Sequence, residues 1–570
     1  MISDRQFAQL PAQNELNSPF WRRPVAILLL ILFLAAFLRL VNLGQSPPGL
    51  NQDEAASAWN AYCLLKTGKD QTGVSWPIFY LRTLGSNGST PLYIYATIPF
   101  LAIGGLSIWT VRFVSAFFGI LCIPLIYYIA SRLFDRCVGL VAALLLALNP
   151  WHLQLSRWGH EGCIAPLLGL VPLAVMLWAK MPIRNENPDL SHLLRAALAG
   201  ALSGISCYSY PAIRLFIPPF LALIILVTLP AWWHSLKTRK GALAIAAFII
   251  AFAATFGPLA FKHLTDPENI AKRAQGIWIW NQSDPTAEKV KLVLTRYVKH
   301  FGPDFLFIEG DHYVIQSPPN AGQYHWYMLP LMLLGLIPMF KNLKSSYPAR
   351  ILFVFILVYP AGDILNTHTG SDLQISLHAL RSAPGLCSMV LLAALGAVTA
   401  AGWLWKKNPP LAWAAIAALT IAIIGFNLRY FYHFYGEYNR RPNIYQSFHV
   451  DLVEACNWLR PRLDQYDAVF CTSNGMNTPY IITLVVLGYD PNRWLHEGCD
   501  VITRPEFDDI YLRYGKMHFM YGGSAIPAIT SLRPEDRAIF IVRPNELGFK
   551  NPIHQICHPD GTPTLWLCQQ

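Results

Sequence analysis

Two carboxylates stand side by side, Asp53 and Glu54, in Pro47-Pro48-Gly49-Leu50-Asn51-Gln52-Asp53-Glu54-Ala55-Ala56-Ser57-Ala58-Trp59-Asn60. Such a pair can take a proton from a hydroxyl group or share a cation. The plainer reading is that Asp53 caps the run of helix formers Ala55 to Lys66. Pro47 and Pro48 fix an extended approach and Gly49 permits a turn. Trp59, Tyr62 and Leu65 recur at helical spacing and predict a helix lying in a membrane interface, where aromatic rings anchor well. Other ionisable groups gather in three later places. Asn149 to Glu161 holds His152, Arg157, His160 and Glu161; Tyr208, Tyr210 and Arg214 follow; His368, Asp372, His378 and Arg381 come last. Carboxylates facing cations suit transfer from a phosphate-bearing donor, where a base takes the acceptor proton and cations stabilise the departing phosphate. The plainer reading of Arg157 and Arg381 is contact with lipid headgroups. His152, after Pro-Trp, reads as a helix-end hydrogen-bonding group rather than a metal ligand.

Those groups must be positioned by membrane helices. The chain has 570 residues, 54% hydrophobic and only 14% charged, against about 25% charged in a soluble domain. Several apolar runs approach the ~18 residues that cross a bilayer. The net charge of +11 belongs to short loops that set topology, and no nucleic-acid motif accompanies it. Val25 to Leu43 is too long for a signal-peptide core and is read as the first crossing, with Arg39 snorkelling at its far end. Pro91 to Gly105 would span only about 22 Å as a helix, against a hydrocarbon core of about 30 Å. Pro99, Gly104 and Gly105 weaken it further, so a juxtamembrane or re-entrant segment is expected. The remaining crossings are predicted at 109–133, 138–155, 163–179, 193–208, 212–232, 241–261, 324–340, 350–366, 383–404 and 411–428, eleven in all. This choice puts Arg5, Arg22, Arg23, Arg132, Arg136, Lys180, Arg184 and Arg195 in the cytoplasm, as the positive-inside rule requires. The N-terminus is then cytoplasmic, and loops 44–107 and 262–323 are extracytoplasmic. The second of these is the length of a lid or a substrate-side wall.

Residues 1–430 thus form a transmembrane domain and 431–570 an extracytoplasmic one. In the tail, Leu452 to Leu463 reads as a helix, Ala468 to Cys471 as a strand, and Thr478 to Leu487 as apolar helix or strand. Phe519 to Tyr521, Ala538 to Val542 and Leu565 to Leu567 are further strands, giving a small α/β domain. Eleven cysteines without a CxxC pair point away from a zinc or redox centre. Cys557 and Cys568, flanking a Pro-Asp-Gly turn, are the first pair to try for a disulfide. Asn87-Gly88-Ser89 and Asn281-Gln282-Ser283 match the glycosylation sequon.

The Asp-Glu loop is followed by Pro91-Leu92-Tyr93-Ile94-Tyr95, Val111-Arg112-Phe113-Val114-Ser115-Ala116-Phe117-Phe118-Gly119 and Asn149-Pro150-Trp151-His152…Leu155-Ser156-Arg157. Together these resemble the GT-C glycosyltransferases, and within them family 39, the protein O-mannosyltransferase and aminoarabinose-transferase group. The likeness extends over roughly residues 20–430 in architecture and 25–160 in motifs. It implies a polytopic α-helical GT-C fold of about eleven transmembrane helices with the small C-terminal domain. It also implies inverting transfer of a sugar from a polyprenyl- or dolichyl-phosphate carrier to a glycan, protein or lipid acceptor, outside the cell membrane, as in protein glycosylation or cell-envelope modification. The catalytic carboxylate would be Asp53 with Glu54 beside it; phosphate binding would fall to Arg157, His378, Arg381 or backbone amides. His152, His160, Glu161 and Tyr93 would be neighbours of substrate or metal. No cofactor is required, although Asp53 with Glu54 or Glu161 could hold a divalent cation. Relatives often carry Lys-Pro-Pro or His-Pro-Pro before Leu-Tyr, whereas this chain has Asn87-Gly88-Ser89-Thr90-Pro91-Leu92 and no cation there. Two alternatives stand beside this reading. One is an oligosaccharyltransferase-like enzyme with a lipid-diphosphate donor; the other is a transporter or lipid-handling protein on the same scaffold. Against the last, no charge falls at the middle of a predicted span, where transport sites usually lie.

Overall fold

The computed structural model describes residues 24–82, 88–182, 189–266, 277–313, 315–316, 321–367, 377–502, 510–521 and 524–570. Arg5, Arg22, Arg23, Asn87, Arg184, His368 and Asp372 lie outside the described residues. From the N-terminal side the helices are α1 (Pro24–Leu40), α2 (Gln52–Thr67), α3 (Pro91–Gly104), α4 (Ile108–Leu133), α5 (Arg136–Ala147), α6 (Pro150–Leu155), α7 (Ala165–Trp178) and α8 (Leu190–Ser206). There follow α9 (Pro211–Val227), α10 (Leu229–Leu236), α11 (Arg239–Thr265), α12 (Thr286–Lys299), α13 (Met328–Lys341), α14 (Tyr347–Val358), α15 (Leu386–Lys407) and α16 (Pro409–Tyr435).

Among the described residues five helical stretches are long and apolar enough to cross a bilayer: 108–133, 161–178, 239–265, 379–407 and 409–440. The pair α9 and α10, bent by 78°, makes a sixth candidate, and α1, α3, α5, α13 and Tyr347–Gly362 are shorter apolar helices. Each of the eleven expected crossings contains a helix, but 138–155 is not continuous. There α5 stops at Ala147, and Asn149 caps α6 by accepting the His152 N–H at 2.8 Å. Pro150, which has no N–H to give, occupies the first turn. Helices approach closely through small residues, as is common in membranes. A Cβ on Gly200 of α8 would lie 2.1 Å from the Phe248 carbonyl of α11.

Beyond α16 the chain adds α17 (Val450–Leu459), α18 (Pro479–Leu487) and α19 (Pro491–Glu497). The strands are β1 (Ala468–Thr472), β2 (Asp500–Ile502), β3 (Ile510–Tyr514), β4 (Met517–Met520), β5 (Ala538–Val542), β6 (His554–Cys557) and β7 (Pro563–Gln569). They form one mixed sheet of order β2-β3-β4-β1-β5-β7-β6. Only the three central strands are parallel to one another. Every residue of β1 and β5 is buried, because both faces of the sheet are covered, and a strand buried on both faces reads as a continuous apolar run. Cys557 and Cys568, the first pair to try for a disulfide, are both free thiols. Cys557 is level with Pro563, while Cys568 lies opposite Phe540 on the other side of β7.

The tail domain sits directly on α2. Trp59 is fully buried, its ring 6.0 Å from that of Trp494, and the Trp494 indole N–H donates to the Gln71 carbonyl at 2.8 Å. Ala55, Ala58, Trp59 and Leu64 share one apolar core with Leu452, Tyr480 and Ile481. The aromatic residues of α2 therefore face the tail domain, not lipid as their spacing suggested. Leu50 and Asn51 are tied to the Phe448 and Ser447 carbonyls. Gly49, at φ +65°, lets that strand of chain come near; a Cβ there would meet the Phe448 oxygen at 2.2 Å.

Candidate active site

The N-terminus of α2 is closed by Asn51, not by Asp53. The Asn51 side chain accepts the Asp53 N–H at 3.0 Å, and Glu54 reaches back to accept the Asn51 N–H at 3.0 Å. This reciprocal pair is a capping box. Adjacent helical residues point about 100° apart, so the two carboxylates separate. Glu54 turns inward and is fully buried. Its Oε1 accepts from Arg112 Nε and from the Gly159 N–H, both at 2.8 Å, and its Oε2 from Arg112 Nη2 at 3.0 Å as well as from Asn51. Four donors occupy both oxygens. Asp53 is half-buried, and its carboxylate makes no hydrogen bond or ion pair among the described residues. Glu54, expected beside Asp53 in the chemistry, has both oxygens engaged in holding the loop.

A second carboxylate takes the place of Glu54. Oε2 of Glu161 accepts the Thr90 N–H at 2.6 Å and the Thr90 hydroxyl, and Oε1 has no partner among the described residues. Glu161 lies within electrostatic reach of Asp53 and of Arg214. The Ser209 carbonyl lies against the same Thr90 Oγ and shares its single proton with Glu161, so Thr90, in the stretch that lacks a cation, joins α3 to the turns before α7 and α9. His160 stacks on Trp158 with ring centroids 4.6 Å apart, and its Nδ1 accepts the Gly162 N–H.

Of the three groups expected to bind phosphate, Arg157 is the one most fully engaged by the chain itself. All five of its N–H donors go to backbone carbonyls: Leu38 and Arg39 from Nη1, Val41 and Ser46 from Nη2, and Ser46 again from Nε. Its guanidinium also lies over the rings of Phe434 and Tyr435. It closes the carbonyl end of α1, and no donor remains for a ligand. Arg39 does not snorkel; it is buried and bonded to Ala35, Leu146, Ala147, Ser156 and Nδ1 of His152. His152 is thereby committed as well. Tyr93 is buried against Ser115, 2.8 Å away, and is part of the frame.

His378 and Arg381 belong to a buried polar cluster. The short helical turn Ala379–Ser382 packs against 161–164, where the Leu380 side chain fills the space beside Gly162. Arg381 Nη1 donates to the Thr367 carbonyl at 3.3 Å and stands 3.7 Å from Asp363 Oδ1. Its Nε and Nη2 have no partner among the described residues. Asp363 Oδ2 accepts from Arg296 Nη2 at 2.9 Å and lies 3.3 Å from His300 Nε2. The Gln316 amide reaches His378 Nε2 at 3.1 Å. Asp311 accepts the Tyr313 and Ala379 N–H groups at 2.8 and 2.7 Å; burial, only partly offset by those bonds, pushes its carboxyl up to about 7. Arg214, which the sequence reading left without a role, has Nε on the Cys207 carbonyl at 3.0 Å and Nη1 on His263 at 2.6 Å. The Arg381 carbonyl, Ala212 and Gly362 meet in one place, so the Arg214 and Arg381 segments adjoin.

Among the described residues Asp53 and Glu161 are carboxylates with unpartnered oxygens, Glu161 within electrostatic reach of Asp53 and Arg214, and Arg214 and Arg381 are guanidinium groups with unpartnered donors on adjoining segments. Such a set can accept a proton and hold a phosphate. Among the described residues no group of three or more His, Cys, Asp or Glu side chains is arranged for a metal; Asp53 with Glu161 is the pair that could hold a divalent cation. An apolar groove of about 500 Å³ between α13, α15 and α16, lined by Leu331, Leu334, Ala397 and Leu404 among others, has no group for this chemistry.

A family model described as dolichyl-phosphate-mannose-protein mannosyltransferase matches residues 89–256. No curated protein matches the sequence. Among solved structures, ArnT from Cupriavidus metallidurans bound to undecaprenyl phosphate superposes with a TM-score of 0.52 at 12% identity, covering 95% of this chain and 97% of that one. The archaeal oligosaccharyltransferase AglB from Archaeoglobus fulgidus, in complex with an inhibitory peptide and a dolichol-phosphate, gives 0.51 at 14% identity, covering 82% of this chain and 64% of that one. These neighbours share the fold, a membrane helical bundle carrying a smaller domain. The chain thus resembles GT-C glycosyltransferases, in fold over most of its length and in sequence over residues 89–256.

Proposed function

We propose that the protein transfers a sugar from a polyprenyl-phosphate donor to an acceptor hydroxyl on the extracytoplasmic side, with inversion at the anomeric carbon. In this reading residues 1–430 bind the donor in the membrane, and residues 431–570 form an extracytoplasmic domain that roofs the Asp53 helix. The acceptor oxygen attacks the anomeric carbon as the bond from that carbon to the phosphate oxygen breaks. Asp53 takes the acceptor proton. Arg214 and Arg381 compensate the charge left on the polyprenyl phosphate, a role electrostatic preorganisation suits. Glu161 orients the acceptor or shares a cation with Asp53. The N-terminal end of a helix favours a carboxylate and so weakens it as a base; a proton that leaves only as the new bond forms needs a positioned acceptor more than a strong base.

The observation that carries the proposal is the division of labour between neighbours: among the described residues Glu54 has four donors and the Asp53 carboxylate has none. The test is Asp53→Asn in purified protein with a defined lipid-phosphate sugar and acceptor. Because Asn51 supplies the cap, folding should be unchanged. Transfer should fall by about 10²–10⁴, the usual contribution of a general base, with donor binding retained. Near wild-type transfer would refute the assignment. A lipid-diphosphate donor would be favoured instead if transfer required both a diphosphate carrier and a divalent metal.

A further inference from the structure

Helix α12 (Thr286–Lys299) is amphipathic the wrong way round for a helix on a water-facing surface. Its inner face carries Lys289, Leu292, Arg296 and, just past its end, His300, all buried. Its outer face carries Val290, Leu294 and Val298, exposed by 43%, 61% and 67%. At four-residue spacing these three form one stripe, with Ala287 continuing it toward the N-terminus. The inner cations are matched: Arg296 and His300 meet Asp363, and Lys289 donates to the Gln282 and Trp280 carbonyls. Among the described residues nothing covers the outward apolar face.

The position of the helix says what covers it. Tyr297, on the flank of the stripe, donates its hydroxyl to the Leu357 carbonyl at 2.9 Å. Leu357 is one residue from the end of the apolar helix α14 and is itself 41% exposed. Thus α12 meets the end of a short apolar helix that the sequence reading places across the membrane. Lys291 and Lys299 are exposed beyond the stripe, the flank chemistry of helices that lie in an anionic lipid interface. We infer that α12 is a membrane-surface helix, its Val290–Leu294–Val298 stripe seated in the lipid interface and its lysines on lipid phosphates. Because its inner face grips Asp363, which also faces Arg381, the lipid surface becomes one wall supporting the candidate phosphate site. The inference stands whether or not the proposed transfer is correct.

The test uses the full chain in vesicles of phosphatidylcholine and phosphatidylglycerol. An environment-sensitive fluorescent amino acid is inserted by stop-codon suppression at Leu294, at Val298 and, as a water-facing control, at Glu288. Lipids brominated high on the acyl chain should quench residues 294 and 298 at least about two-fold more than 288, as a helix buried only a few ångströms deep requires. Aqueous iodide should quench only 288. Iodide quenching of all three positions would overturn the inference, because the stripe would face water. A blue-shifted probe at 294 that neither quencher reaches would also overturn it, showing that protein, an acceptor or a second copy, covers the stripe.

Discussion

Replacing Glu54 by Gln should act on stability before chemistry. Both Glu54 and Arg112 have fully buried side chains, 2.8 Å apart. The glutamate oxygens accept four hydrogen bonds from donors that cannot become acceptors: two guanidinium nitrogens and the N–H groups of Asn51 and Gly159. In Glu54→Gln one oxygen becomes an NH₂ group and must face two of those donors. Arg112 is left charged and buried without its counter-ion. Breaking a buried pair from one side costs about 3–5 kcal/mol. The Leu43, Pro47 and Gly49 carbonyls still accept from Arg112, which argues for the lower end, about 3 kcal/mol. The assay is equilibrium unfolding of purified protein in mixed micelles, beside a transfer assay at a temperature where the variant stays folded. The double replacement Glu54→Met with Arg112→Met should be less destabilising than either single change, since no charge is then left unpaired. A Glu54→Gln protein as stable as wild type but unable to transfer would refute the reasoning and return Glu54 to the chemistry.

Arg157→Lys keeps the charge but offers three donors to carbonyls that now receive five hydrogen bonds; it should destabilise by roughly 2–3 kcal/mol, about the loss of one or two bonds to a charged donor, while donor affinity in a lipid-binding titration stays within about two-fold of wild type. Arg214→Ala and Arg381→Ala should each weaken donor binding by ~1.5–3 kcal/mol in the same titration, and unchanged affinity in both would move phosphate binding elsewhere. The Asp311 carboxyl is raised to about 7 in the folded protein, so the folded state holds its proton more tightly than the unfolded chain. Its contribution to stability is therefore fully present below about pH 4 and is lost as pH rises through about 7. Melting curves of wild type and Asp311→Asn should diverge across that window; parallel curves would show that Asp311 is not the titrating group.

The bundle was legible because an apolar run long enough to cross a bilayer identifies itself from composition alone. In the tail, β1 and β5 announced themselves as continuous apolar runs, whereas β2, β3 and β6 did not. Asp500-Val501-Ile502 is exposed throughout, and β6 is a partly exposed edge strand, so tertiary pairing overrides weak local preference. The break at Asn149-Pro150 is a standard helix start, outweighed in the reading by the apolar residues on either side.

The site was half legible, and the reason lies in what a residue type can and cannot say. Asn51-Gln52-Asp53-Glu54 contains the capping spacing, a cap residue followed by Glu three positions on, and that pattern alone could have turned Glu54 toward the backbone and left Asp53 free. Nothing comparable separates the arginines. Arg157, Arg214 and Arg381 each stand near the end of an apolar helix, and a guanidinium that closes a helix, one that pairs with a carboxylate and one that waits for a phosphate have the same local sequence requirements. What distinguishes them is the number of carbonyls that distant chain brings within reach. For Arg157 the end of α1 and the loop after it bring enough to use all five donors; for Arg214 and Arg381 the described residues do not. The same accounting explains how the stretch before Leu92-Tyr93 can lack a cation. Thr90 is engaged by Glu161 and the Ser209 carbonyl, so a lysine there would break a joint of the frame. In the proposed transfer the positive charge for the donor comes from another element, and Arg214, five residues beyond Ser209, lies within electrostatic reach of the carboxylate that holds Thr90.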